Sequence, residues 1–167
     1  MLQYMQWPLR LLGAIAGFSA LLASAVASDQ VAPGGLTIRS IAEVEQVGEH
    51  AFTRLVPADR VVPGDRVMYT LEVRNAGATA INAPTVTNPI PLHMQYVEDS
   101  AVGPGAEVSY SVDGGLSFDA AANLKVQAPD GTPRAATAAD YTHIRWQLRN
   151  TLKAHSIAFV RFRAVVK

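Results

Sequence analysis

The segment Arg66–Asn75 reads RVMYTLEVRN, and its alternation decides the fold class. Every second residue from Val67 to Val73 is apolar or aromatic, and the residues between them are mostly polar or charged. A period of two is typical of a β-strand with one buried face. The turn signals Pro63-Gly64-Asp65 and Asn75-Ala76-Gly77 flank the segment. We therefore predict a strand over 66–75 that is bounded by turns.

Two segments near the C-terminus repeat this alternation, namely Thr142–Arg149 and Ser156–Lys167. Glycines accept positive φ, so Asp113-Gly114-Gly115 is predicted to be a tight hairpin turn. Weaker strands are predicted at Thr37–Glu45, Ala51–Val56, Thr85–Asn88, Gln95–Val97, Val108–Val112, Ser117–Phe118 and Leu124–Gln127. Many short strands without long helices predict an all-β protein, an immunoglobulin-like antiparallel β-sandwich over 36–167.

The N-terminus has the three parts of a secretory signal. Arg10 precedes the apolar run LLGAIAGFSALL over 11–22, and Ala25-Val26-Ala27 fits a cleavage site, as does Ala23-Ser24-Ala25. A membrane anchor needs about 20 apolar residues, which is more than this run supplies. We predict a signal helix over 1–27 that is cleaved after Ala27, a flexible leader over 28–35, and no membrane insertion after cleavage. The protein is then secreted, to the periplasm, the cell surface or the extracellular space.

Composition excludes several classes of function. The chain has no cysteine, which removes thiol catalysis, zinc-thiolate sites and disulfides. It has 14 basic and 14 acidic residues, and the predicted signal holds one of the basic ones, so 13 against 14 remain, a formal charge of −1. Nucleic acid is not predicted as a partner, because such binding needs a basic field.

The segment from Arg60 to Ala101, RVVPGDRVMYTLEVRNAGATAINAPTVTNPIPLHMQYVEDSA, resembles the conserved repeat domain of bacterial and archaeal surface proteins called domain of unknown function 11. The matching residues are Pro63, Gly64, Asp65, Val67, Tyr69, Leu71, Val73, Asn75, Gly77, Val86, Thr87, Pro91, Tyr96, Val97 and Ser100. With similar pieces near the C-terminus, the resemblance covers 38–167. Asn88 departs from it, since the family usually has Asp there. The resemblance implies a single immunoglobulin-like domain with a structural or adhesive role at the cell surface, and no catalytic residues.

No set of residues in the sequence has the spacing of a catalytic or metal-binding motif. The histidines are scattered, and no nucleophile motif is present, so we predict no enzyme, no cofactor, and no catalytic or metal-binding residues. The histidines are His50, His93, His143 and His155. Calcium at acidic loops is kept as a hypothesis because calcium prefers oxygen ligands. Its candidate ligands are Glu98, Asp99, Asp113, Asp119 and Asp130.

The sequence is compatible with two functions. The first is an exported, non-enzymatic structural or adhesive module of the bacterial envelope or extracellular space, with protein partners or self-association through strand addition by Thr37–Glu45. The alternative is a soluble binding protein for a carbohydrate or peptide that uses the 113–140 loop region. A basic patch is also considered, provided that the two C-terminal strands pair. Its residues are His143, Arg145, Gln147, Arg149, Arg161 and Arg163.

Overall fold

The structure, a computed structural model, describes residues 29–32, 35–48 and 52–167. The signal predicted over 1–27 lies outside these residues, as does His50. The described chain is built from eleven strands and one short 3-10 helix. The strands are β1 (Asp29–Ala32), β2 (Leu36–Val47), β3 (Thr53–Pro57), β4 (Arg66–Asn75), β5 (Thr85–Pro89), β6 (Met94–Tyr96), β7 (Ala106–Ser111), β8 (Lys125–Gln127), β9 (Pro133–Ala135), β10 (His143–Leu148) and β11 (Ile157–Val166), and the helix is Ala121–Asn123.

All strand pairs are antiparallel, and they form three sheets. The larger sheet has the order β1-β2-β4-β11-β6, with β3 pairing with β2 as well. β1 and β3 lie end to end along the same side of β2, since β1 covers Leu36–Arg39 and β3 covers Glu43–Val47. The smaller sheet has the order β5-β10-β7, and β8 and β9 form a separate hairpin.

The larger and the smaller sheet share one apolar core. Trp146 on β10 packs against Phe162 on β11, with 6.1 Å between the ring centroids, and both side chains are fully buried. Phe162 also stacks on Tyr69 of β4 at 4.8 Å. The inward residues predicted for β10 and β11 are buried or partly buried, as are those of β4, but on β4 the predicted outward residues Met68 and Thr70 are buried as well. The prediction of an all-β chain of antiparallel sheets is confirmed, and the architecture is that of a β-sandwich.

Some predicted strands differ from the observed ones. The prediction of a strand at Ser117–Phe118 was wrong, because that segment is a loop in which the Ser117 amide donates to Asp113. The chain still returns beside β7, where Tyr110 and Asp119 exchange two backbone hydrogen bonds. β9 was not predicted, since its sequence, PRA, carries no alternation.

The segment predicted as a leader, 28–35, contains strand β1. Gly35, which directly precedes β2, has a φ of 83°. A Cβ atom at Gly35 would lie 3.2 Å from the backbone nitrogen of Gly77, and the Gly35 carbonyl accepts a hydrogen bond from Ala76. The turn after β4 therefore holds Gly35 in place, and a side chain at this position would crowd that turn.

Candidate functional site

The hairpin of β2 and β3 extends past the start of β4. Pairing between β2 and β4 ends at Val44 and Val67, whereas β2 and β3 continue to pair as far as Val47 and Thr53. Near the end of this hairpin, Val47 is 75% exposed and Phe52 is 76% exposed. Leu55, on the outer side of β3, is also exposed. The hairpin therefore presents apolar side chains to solvent where the sheet gives them no neighbours.

Two more exposed apolar residues lie at the same end of the larger sheet. Val62 belongs to the loop before β4, whose Gly64 amide donates to the Val166 carbonyl at the end of β11. Leu92, which is 88% exposed, belongs to the loop before β6, whose His93 carbonyl accepts from the Lys167 amide. We call Val47, Phe52, Val62 and Leu92 the apolar end. They lie along the end of the larger sheet, from the β2–β3 hairpin to the loop before β6, and exposed apolar surface of this kind is typical of interaction sites when a partner covers it.

A groove of about 390 Å³ opens beside the apolar end. It lies between the β2–β3 hairpin and the loop that carries Arg60 and Asp65, and its lining is more polar than apolar. Glu45, in its wall, is already engaged by Arg163 and lies 3.9 Å from Arg66. The groove therefore adds a polar rim to the apolar end but presents no free buried charge.

In the 113–140 region, predicted as a binding loop, many polar side chains form hydrogen bonds within the region or to the adjoining Ser111. Ser111 and Ser117 hydroxyls donate to Asp113, as do the backbone amides of Leu116 and Ser117. These bonds, that of Ser111 first, hold the pKa of Asp113 well below its usual range. Arg134 donates two hydrogen bonds of 2.7 Å to Asp140, which lowers the pKa of that carboxyl. Internal bonds therefore order the region.

The acidic loop residues do not converge on one site. Asp119 accepts from Ala120 and Asn123, and Asp130 accepts twice from Thr132, so each carboxylate bonds within its own loop. Over the described parts of the chain, no group of three or more His, Asp or Glu side chains is placed to hold a metal ion. The hypothesis of a calcium site gains no support from this arrangement.

The basic patch predicted from β10 and β11 does not form. The two strands do not pair, because β10 lies in the smaller sheet between β5 and β7 and β11 in the larger sheet between β4 and β6. Arg145 instead stacks on the ring of Phe118, 3.5 Å from its centroid, and Arg163 pairs with Glu45. The prediction was wrong because alternation reports which residues of a strand face outward, not which strand lies beside it.

The strand predicted to add to a neighbouring molecule, Thr37–Glu45, is not an edge strand. It lies within β2, which has β4 along one side and β1 and β3 along the other. Its backbone groups are therefore largely used within the sheet, and strand addition by this segment gains no support from the fold.

No family model, no curated protein and no solved structure matches this chain. The resemblance to domain of unknown function 11 thus stays a prediction. Over the described residues, no helix has the length and hydropathy needed to cross a membrane. Sequence reasoning did not find the apolar end, because Phe52 was placed inside the predicted strand Ala51–Val56 and Val47 lay outside every predicted strand.

Proposed function

We propose that this chain is an exported, non-enzymatic structural or adhesive module of the bacterial cell envelope or extracellular space that acts through surface contacts. The observation that carries the proposal is the apolar end. Four apolar side chains from the β2–β3 hairpin and two loops stand exposed at one end of the larger sheet. Exposure of apolar area to water is unfavourable by about 25 cal/mol per Å². Binding to a protein surface that covers these side chains is therefore favoured.

The finer parts of the proposal have separate support. The signal pattern over 1–27 favours export and a location in the periplasm, at the cell surface or outside the cell. The immunoglobulin-like class and membership of the surface-protein repeat family are supported by the match of Pro63-Gly64-Asp65 and Asn75-Ala76-Gly77 to turns at the two ends of β4. A contact role needs no catalytic group, which agrees with carboxylates that are engaged within their own loops.

Binding of a carbohydrate or peptide by the 113–140 region is the alternative function. It has less support, because the carboxylates of Asp113 and Asp140 already accept hydrogen bonds from groups within the region. Phe118, the aromatic residue of this region, lies beneath Arg145, so one face of its ring is already covered and closed to a sugar ring.

Co-sedimentation with envelope fragments tests the proposed function. The full chain is expressed in a bacterium, the exported protein is recovered, and its N-terminus is read by intact mass. Fragments of the envelope of the organism that encodes the chain are then mixed with it and pelleted. We expect a mass that begins at Ser28, and a bound fraction that falls by about tenfold in the variant with Val62→Ser and Leu92→Ser, as loss of two apolar contacts predicts.

The matched control is Leu116→Ser, which removes an equally exposed apolar side chain from the loop after β7. It is expected to bind like the unchanged protein. Equal pelleting of all three proteins, or pelleting of none, would count against a contact role for the apolar end.

A further inference from the structure

Strand β3 has a partner on one side only within the described residues. Gly48 donates to the Phe52 carbonyl, and Ala58 donates to the Ala42 carbonyl. Backbone groups alternate along a strand, so residues 52, 54, 56 and 58 turn theirs toward β2. Thr53, Leu55 and Pro57 therefore turn their backbone groups outward, away from the sheet.

The edges of the smaller sheet are better protected. On β7 the outward amide of Ala106 donates to the Gly103 carbonyl, and Tyr110 exchanges two backbone bonds with Asp119. Val108 is then the one outward residue of β7 without a backbone bond on that side among the described residues. On β5 the outward residues Thr85 and Thr87 lie between two prolines, a common way to block a sheet edge. β3 differs because exposed apolar side chains, Phe52 and Leu55, accompany its open backbone.

We propose that β3 pairs with β3 of a second copy of this chain, antiparallel and about a two-fold axis at Leu55, so that the larger sheets of the two copies join. This inference rests on the proposed function and names a second copy as a partner. In this register the two Leu55 residues exchange amide and carbonyl bonds, and each Thr53 amide donates to Pro57 of the other copy. All outward donors of β3 are then used.

The sequence of β3 favours this register over its neighbours. Pro57 lacks an amide hydrogen, and here it only has to accept. An axis at Pro57 would place two prolines opposite each other and form no bond between them. An axis at Arg54 would also use both outward donors, but it would place the two Arg54 side chains directly opposite each other. The axis at Leu55 therefore uses every outward donor of β3 and keeps like charges apart, and this self-complementarity favours a second copy as the occupant.

The side chains agree with the same arrangement. Leu55 meets Leu55, Arg54 faces the partner's Val56 and not another charge, and Phe52 comes opposite Ala58 at the end of the other β3. Arg54 keeps its bond to Gln46 of its own chain, on the β2 side. Because the formal charge without the predicted signal is −1, net repulsion between copies is small.

Cysteine cross-linking tests the register directly, because the chain has no cysteine of its own. A Leu55→Cys variant of the full chain is exported, purified and oxidised, and non-reducing gels measure the linked fraction. Opposed residues of a hydrogen-bonded antiparallel pair have Cα atoms about 5.5 Å apart, within the range of a disulfide. We expect most of the protein to become a linked dimer. The control, Thr87→Cys, is at the edge of β5 and is expected to stay largely monomeric.

Sedimentation velocity of the unchanged protein supplies an independent measurement. We expect a reversible dimer whose dissociation constant rises by about tenfold or more in Phe52→Ser, since that exposed ring is buried twice in the dimer. A monomer at all concentrations, or equal cross-linking of Leu55→Cys and Thr87→Cys, overturns the inference. Envelope binding that persists in that case shows that the proposed function stands without the dimer, because its test alters Val62 and Leu92, which lie outside β3.

Discussion

The Asn75 side chain donates a hydrogen bond of 3.1 Å to the carbonyl of Leu152, which is 77 residues away in the chain. The same amide group donates to the carbonyls of Thr79 and Lys153, and its oxygen accepts from the Gly77 amide. Asn75 is fully buried. One side chain thus closes the turn after β4 and fastens it to the loop before β11.

Replacing Asn75 with alanine is expected to lower the free energy of unfolding by about 2–4 kcal/mol, because it leaves buried carbonyls without donors. Asn75→Asp keeps an acceptor for Gly77 but loses the donors, so it should be at least as damaging at neutral pH. Urea unfolding measures both. Asn82→Ala, which removes an exposed amide bonded to Thr151, is the control and should change stability by less than about 0.5 kcal/mol.

Gly103 lies where the core leaves no room for a side chain. A Cβ atom there would be 2.8 Å from Cγ1 of Val160 and 3.1 Å from Cβ of Ala106. Gly103→Ala is therefore expected to destabilise the protein by about 1–3 kcal/mol through overpacking. Gly48→Ala, whose new Cβ would meet its nearest atom at 3.5 Å, should be much milder. If Gly103→Ala and Val160→Ala, combined, cost as much as the sum of the two, the steric explanation is wrong.

The Asp113 carboxylate gives the stability of the 113–118 loop a pH dependence. Its folded-state pKa is lowered by the bonds from Ser111 and Ser117, so its contribution is present above the unfolded pKa, about 4, and is lost as pH falls through the folded value. The stability difference between the unchanged protein and Asp113→Asn should thus be larger at pH 7 than at pH 2. Urea unfolding at both values measures it. A difference that is the same at both pH values would show that the charge of Asp113 is not what matters.

Phe118 fixes the same loop to the outer face of the smaller sheet. It lies under Arg145 and meets the ring of His143 edge-on, with 6.5 Å between the ring centroids. We expect Phe118→Ala to cost about 1 kcal/mol, as a partly exposed cation–π contact predicts, and to speed amide exchange at Leu116 and Ser117. Exchange that accelerates equally in β4 would instead indicate global unfolding.

The inward faces of β4, β10 and β11 were predictable from sequence because alternation reports burial on a single strand. Their neighbours were not, since pairing depends on contacts between distant segments. Arg145 and Arg163 were therefore assigned to one patch although they lie in different sheets. For the same reason Thr37–Glu45 was expected to be available to a neighbouring molecule, although it lies between strands of its own sheet. Phe52 and Leu92 are far apart in the sequence. They are candidates for one contact site only because the strand order of the larger sheet brings their segments to the same end.

Comparison of envelope binding by the exported protein with and without the apolar end tests the central claim most directly. The account predicts that the unchanged protein and Leu116→Ser sediment equally with envelope fragments, while the Val62→Ser and Leu92→Ser variant stays mostly in the supernatant with an unaltered melting temperature. Equal binding by the variant and the unchanged protein would contradict the account.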